Sequence, residues 1–246
     1  MARTSVSKVT GLRYETLARE YYDASAHPTC HNFNRLSRIY LNRHLPEILV
    51  DERARILEVG AGDSAAAAVL HARGLTLSNL EISDLSQSML AHSSRWAELG
   101  AVLSVLDATR LPHRRSSIAG LVASLADPYN TRGFWTGVSR VLAPDGYALV
   151  TLPAYQWALR FRRRQDRPAF NTAEFLMRDG RVVNVPSFLY PLDRQIALIQ
   201  STNLEVVDFE SLGADELSGE VLSPKASVFD ESFSSLLSGF TVRKRE

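Results

Sequence analysis

The chain has 246 residues, 45% hydrophobic and 22% charged, which supplies enough apolar surface for one core and argues against a disordered or fibrous chain. A net charge of +1 leaves no overall field that would draw it to nucleic acid or a membrane surface. The single cysteine, Cys30, excludes an internal disulfide and a cysteine-cluster metal site; no metal is expected, and a reducing, cytoplasmic compartment is the simplest reading. Residues 1–8 lack the apolar stretch of a signal peptide, and no apolar run is long enough to span a bilayer, so no membrane partner is expected.

Residues 1–10 read as a disordered lead-in. From 12 to about 50 the spacing is helical: Leu12, Leu17, Tyr21 and Tyr22 share a face, His27-Pro28 breaks it, and Phe33, Leu36, Ile39, Tyr40 and Leu45 mark a second helix. Residues 56–59 form the first strand, followed by the glycine turn Gly60-Ala61-Gly62 and a helix over 64–73 closed by Gly74. A strand over 76–82 and a helix over 87–99 come next, then strands over 101–106 and 118–124. A helix over 134–142 stops at Pro144-Asp145-Gly146, before a fifth strand over 147–152. Strands alternating with helices at this interval predict βαβ units in a mainly parallel sheet, with right-handed crossovers.

After the fifth strand the rhythm changes. A short helix over 155–164 runs into an arginine-rich stretch, 160–167. Residues 175–178 and 182–185, joined by Asp179-Gly180-Arg181, read as a β-hairpin. A helix over 193–200 and a strand over 204–209 follow, residues 211–235 read as loop, and a last strand over 239–244 is expected to pair antiparallel at the sheet edge. With no interdomain linker, residues 1–246 read as a single domain. Its parts are a helical lid (11–50), a core (54–152), a cap insert (155–192) and a C-terminal helix with edge strands (193–246).

The chemistry gathers at strand ends, the rim where open parallel sheets bind ligands. Glu58 lies near the end of strand one, just before glycines that permit a sharp bend or a close ligand. Asp84 follows strand two, 24 residues after Gly60, where a carboxylate can accept from two ribose hydroxyls. Asp107 follows strand three and can accept from an exocyclic amine, beside the N–H of Ala108. Ser124 and Leu125 end strand four. The third glycine position of a dinucleotide fingerprint is Ala65, a tolerated variant, so spacing alone leaves a nicotinamide cofactor open; a Walker loop is excluded because no Gly-Lys-Ser/Thr follows.

Four segments in order, 57–62, 84–90, 107–112 and 138–146, give the chain a resemblance to the class I S-adenosylmethionine-dependent methyltransferases, strong over about 50–155 and in outline beyond. The resemblance implies an α/β, Rossmann-like, seven-stranded mainly parallel sheet with helices on both faces, an N-terminal helical lid and a β-hairpin insert after strand five. It implies S-adenosylmethionine as cofactor, with S-adenosylhomocysteine as product. Gly60, Ala61 and Gly62 would pass under the methionine part and Glu58 would join the polar network around it. Asp84 would hold the ribose, Leu85 and Met89 would border the adenine, and Asp107 and Ala108 would take its amine and ring edge. Two departures stand out: Ser64 where the family often has a third glycine, and Ile118-Ala119 in place of Phe-Asp.

A sulfonium methyl is already activated, so the enzyme must mainly hold a nucleophile in line with it and remove a proton where needed. Candidates facing the methyl are Asp127 and Tyr129 after strand four, Tyr14, Tyr22, His27 and His31 in the lid, and Tyr155 and Trp157 after strand five; His31 or Asp127 is the candidate base. Asp127-Pro128-Tyr129-Asn130 is similar to the Asp-Pro-Pro-Tyr motif of methyltransferases acting on nucleobase amines, but lacks the second proline and sits three residues late. The arginine stretch suits phosphates, RNA or a compact anion, and more often such a run is a solvated helix face. The reading is methyl transfer to a small-molecule N, O or C acceptor. The alternatives are a nucleic-acid or nucleotide acceptor, and a non-catalytic protein that keeps the pocket as a binding partner.

Overall fold

The computed structural model describes residues 3–48, 54–163, 172–228 and 235–245. A seven-stranded sheet runs in the order β3-β2-β1-β4-β5-β9-β8. Strands β1 (Ile56–Val59), β2 (Leu80–Asp84), β3 (Val102–Val105), β4 (Ile118–Ala123) and β5 (Leu142–Pro153) pair in parallel. β9 (Leu237–Lys244) runs antiparallel between β5 and β8 (Leu204–Leu212). The chain leaves β1 towards β2 and β3, then returns to β4 on the other side of β1. Loops after β1 and β4 therefore diverge, opening the crevice where such sheets bind ligands.

Local chemistry sets the boundaries. All four β1 residues are buried, as expected of a strand covered on both faces. Ser64 caps α3 (Ala65–Ala72) by accepting from Ala67 N–H, and Gly74, at φ +71, turns the chain away afterwards. Thr131 caps α6 (Arg132–Val141), which buries Phe134, Trp135 and Val138. Helix α2 (Pro28–Ile48) lies on the sheet through Ser37, 2.9 Å from the Thr151 hydroxyl, and through Tyr40, 2.9 Å from the Thr241 hydroxyl. Gly239 of β9 is glycine for this packing, because a Cβ there would overlap the Tyr40 ring. Helix α8 (Leu192–Gln200) packs on β8 and α6.

Several expectations are corrected. Helix α1 (Arg3–Leu17) begins inside the expected disordered lead-in. The expected helix over 87–99 is broken into α4 (Gln87–Leu90), a 3-10 turn and α5 (Ser94–Glu98). The turn serves Ser93, whose hydroxyl donates to Gly62 C=O at 2.6 Å and accepts from Ser64 N–H at 2.9 Å, tying this segment to the glycine turn. β2 starts at Leu80, four residues late, because Leu80 N–H closes a turn onto Leu77 C=O. The last strand is not at the edge: β9 is interior and β8 is the edge strand.

The hairpin is present as β6 (Thr172–Leu176) and β7 (Val182–Pro186), a separate two-stranded sheet turned by Gly180 at φ +82. It buries Met177 and Val185 against Leu17 of α1, with Tyr14, Tyr21 and Phe175 packed around them. Arg178 adds polar ties, its N–H donating to Glu20 at 3.1 Å and its guanidinium to Asp23 at 2.5 Å. Helix α1, the connection after it and the hairpin thus form one layer. Of the arginine-rich stretch, residues 164–167 lie outside the described residues. Helix α7 (Tyr155–Arg163) packs Trp157 on Phe33 and on Phe161. Among the described residues, no helix is long and apolar enough to cross a membrane, and no group of three or more His, Cys, Asp or Glu is placed to hold a metal ion.

Candidate active site

A cavity of about 620 Å³ lies at the carboxyl ends of β1–β4 against α1 and the connection that follows it, in the size range of sites that enclose a small ligand. Its floor is the turn after β1. Gly60 and Gly62 sit at φ +61 and +50, a region that L side chains rarely adopt. Both are also crowded. A Cβ at Gly60 would lie 2.5 Å from the Tyr129 hydroxyl, and one at Gly62 would overlap the Tyr22 hydroxyl. Glycine is required at both positions to let two tyrosines approach the backbone.

Glu58 is fully buried beneath this turn and does not line the cavity. Its carboxylate accepts from Ala65 N–H at 3.0 Å, Ala66 N–H at 3.1 Å and the Ser64 hydroxyl, holding the first turn of α3. Burial pushes its pKa up to about 7 against these stabilising hydrogen bonds. Gly62 does not line the cavity either; its N–H donates to Asp84 at 3.0 Å.

Asp84 lines the cavity at the end of β2. Its Oδ2 takes the Gly62 N–H and its Oδ1 the Ser86 N–H at 2.9 Å, fixing the carboxylate plane. With Leu85 as a further backbone donor, the carboxylate keeps acceptor capacity for a ligand hydroxyl. Burial raises its pKa to about 6, opposed by the backbone donors. Leu85 and Met89 line the same side, and Asp107 and Ala108 line it at the end of β3. Asp107 Oδ1 accepts from both N–H and hydroxyl of Thr109, at 2.8 and 2.7 Å, which orients the carboxylate beside the cavity.

At the end of β4, Ser124 and Leu125 line the cavity. Leu125 adopts φ +51, a strained conformation for a branched residue, with its N–H held by the Thr151 hydroxyl at 3.0 Å. The buried Ser124 hydroxyl has no hydrogen-bond partner among the described residues. Beyond it Tyr129, Pro128, Phe188 and, from the lid, Tyr14, Tyr21 and Tyr22 complete the wall. Tyr129 donates its hydroxyl to Val59 C=O at 2.9 Å and sets its ring edge-on to Phe134. Tyr22 accepts the Asp63 N–H at 2.7 Å. Burial, reinforced by nearby carboxylates, lifts the Tyr14 and Tyr129 hydroxyls well above the ordinary phenol range, so both stay protonated at neutral pH.

The remaining candidates are placed elsewhere. His31 does not line the cavity; its Nε2 is 3.4 Å from Glu220, a carboxylate it shares with Arg35. Asp127 is buried behind the wall and accepts the Ser187 hydroxyl, joining the loop after β4 to the end of the hairpin. His27 pairs with Glu20 at 3.2 Å, Trp157 donates to Lys225 C=O at 2.9 Å, and Tyr155 lies in a separate groove. Sequence reasoning missed Asp63, clamped by Arg38 and Arg95 at 3.0 and 2.6 Å, and the lining residue Phe188. Asp63 sits directly after Gly62, so its place beside the turn was readable; Phe188 had no signal beyond its position after the hairpin.

No family model matches the chain, and no curated protein matches its sequence. Solved structures do match. An S-adenosylmethionine-dependent methyltransferase from Clostridium acetobutylicum superposes with a TM-score of 0.59 at 12% identity, covering 85% of this chain and 91% of that one. Geranyl diphosphate C-methyltransferase from Streptomyces coelicolor, solved with S-adenosyl-L-homocysteine, gives 0.60 at 12%, covering 83% and 79%. 1,6-Didemethyltoxoflavin-N1-methyltransferase from Burkholderia thailandensis, solved with its substrate and S-adenosylhomocysteine, gives 0.57 at 16%, covering 99% and 90%. The strand order, the switch point between β1 and β4 and these superpositions together give the chain the fold of class I S-adenosylmethionine-dependent methyltransferases.

Proposed function

We propose that this protein transfers the methyl group of S-adenosylmethionine to a small-molecule acceptor and releases S-adenosylhomocysteine. The reading rests on one observation above others. A single cavity joins Asp84 and Asp107 at one side to the tyrosine wall under the lid, so a nucleoside and a second small molecule would share one enclosed space. The polar groups suit the nucleoside. Asp84 keeps acceptor capacity for a ribose hydroxyl, Asp107 is oriented by Thr109 towards an exocyclic amine, and Leu85 and Met89 supply an apolar border. When bound, the cofactor supplies a sulfonium methyl that needs no further activation.

The chain's own task is then positioning and exclusion of water. Tyr14, Tyr129, Pro128 and Phe188 would hold the acceptor, with the Tyr14 hydroxyl, kept protonated by burial, as a hydrogen-bond donor and the Tyr129 ring fixed by its bond to Val59 C=O. Asp127, behind the wall and bonded to Ser187, acts as a positioning residue in this reading, and His31 is no longer the candidate base. The lid (11–50) and the insert (155–192) form the acceptor cap, and the single cysteine is in keeping with a cytoplasmic setting.

Titration calorimetry with S-adenosylhomocysteine tests the first half. Micromolar binding by the wild type, weakened in Asp84→Ala, is expected; no binding by the wild type would overturn the reading. Transfer of an isotopically labelled methyl group into a panel of small molecules tests the second half.

A further inference from the structure

Among the described residues that line the cavity, Arg110 and Arg132 are the only cations, and neither makes an ion pair or a side-chain hydrogen bond with any described residue. The carboxylates of the cavity are committed elsewhere. Asp63 is clamped by Arg38 and Arg95, Asp84 holds the Gly62 and Ser86 N–H groups, and Asp107, three residues before Arg110, holds Thr109. Two like charges are left beside one space without a counter-charge.

The backbone makes that arrangement both fixed and unfavourable. Arg110 ends the 3-10 turn Ala108–Arg110 after β3, which Asp107 caps. The turn packs on α6, and Arg140 of α6 donates to the carbonyls of Leu111 and His113 just beyond it. Arg132 is the first residue of α6, whose first turn contains no acid. The partial positive charge at a helix start favours an anion, so an arginine at this position works against the local field. An oxyanion between the two side chains would relieve the repulsion, since guanidinium groups give carboxylates and phosphates paired, charge-assisted hydrogen bonds.

We infer that Arg110 and Arg132 form a subsite for an oxyanion, a carboxylate or a phosphate, carried by the methyl acceptor. The assignment to the acceptor rests on the methyltransferase reading; the oxyanion subsite does not. In that reading the cofactor leaves the subsite free, because its own carboxylate belongs to the amino-acid tail at the glycine turn and the adenine beside Asp107 bears no negative charge. The acceptor reaches it along one short segment. Pro128 and Tyr129 of the acceptor wall line the cavity, and so do Thr131, Arg132 and Gly133. A molecule held against Tyr129 spans only the loop between β4 and α6 to bring an anionic end to Arg132. The acceptor is then an organic acid or a phosphate ester, oriented by its charge while its nucleophile faces the sulfonium.

Two arms separate the anion from its carrier. In the first, inorganic phosphate is titrated at low ionic strength into protein loaded with S-adenosylhomocysteine. Saturable binding by the wild type is expected, weakened about tenfold or more in the double variant Arg110→Gln/Arg132→Gln by loss of charge-assisted hydrogen bonds. Arg194→Gln, which removes one charge from the exposed face of α8 outside the cavity, should leave binding unchanged. No phosphate binding by the wild type, equal binding by the double variant, or matching weakening in Arg194→Gln would each overturn the subsite. In the second arm, transfer of a labelled methyl group is compared across matched pairs, each carboxylic acid or phosphate monoester beside its amide or neutral ester. Transfer into the charged members, lowered about tenfold or more in the double variant, is expected. Equal transfer into the neutral members would make the anion a free effector and overturn its assignment to the acceptor, and transfer into neither member of any pair would overturn that assignment too. Failure of the wild type to bind S-adenosylhomocysteine would instead overturn the methyltransferase reading, and phosphate titrated into the unloaded protein would still decide the subsite.

Discussion

Asp84 and Glu58 sit at the ends of adjacent strands and are both buried carboxylates, yet the structure gives them different tasks. Asp84 faces the cavity with acceptor capacity to spare, and Asp84→Ala is expected to weaken S-adenosylhomocysteine binding by about 1–3 kcal/mol, read by calorimetry. Ligand hydroxyls favour its ionised form, so binding should weaken as pH falls below about 6, its pKa in the free protein, and calorimetry at pH 5 and 7.5 checks this. Glu58 acts on stability. Its folded pKa of about 7 exceeds the ordinary 4.5, so the native state keeps a proton that the unfolded chain has lost. The stability tied to that proton is complete below about pH 4.5 and declines as pH rises through 7. The total is at most about 3 kcal/mol for a shift of this size. Denaturant unfolding of the ligand-free protein should show this decline, and Glu58→Gln should flatten it. At Tyr129, Tyr129→Phe removes the bond to Val59 C=O that fixes this ring in the cavity wall, so it should spare cofactor affinity and lower methyl-transfer turnover.

Among the elements, α1 and the hairpin stand apart from the sheet in how they are held, whereas α2 packs on it. Leu17 is fully buried, but mostly against Met177 and Val185 of the hairpin layer. Leu17→Ala should cost about 2–5 kcal/mol of local stability, seen as faster amide exchange in α1 and the hairpin with strands β1, β4 and β5 unchanged. Much of this architecture was readable. β1, β4, α3 and the hairpin fall within a few residues of expectation because each carries its own punctuation: buried aliphatic runs, Ser64 and Gly74 around α3, and Asp179-Gly180 at the hairpin turn. What was not readable depends on partners distant in sequence. The break after Leu90 exists so that Ser93 can reach Gly62 and Ser64. The start of α1 is hidden by a segment rich in β-branched residues and interrupted by Gly11, which packs against Leu85. The acids after β2 and β3 were legible from spacing alone, whereas the exclusion of His31 and Asp127 from the cavity wall is set by Glu220 and Ser187, 189 and 60 residues away.

For the molecule as a whole, the two sheet edges differ. β8 carries Glu205, Asp208 and Glu210 and a register shift near Val206, features that discourage edge-to-edge pairing, while β3 is short. The strand between β8 and the parallel sheet is β9, the last in sequence, and it contributes Phe240 and Val242 to the core. During synthesis β5 and β8 both emerge before the strand that joins them. Until residues 237–244 clear the ribosome, the nascent chain carries two open β-margins and an unfilled slot where Phe240 belongs. A chain cut at residue 236 would keep both margins open and leave the sheet split between β5 and β8.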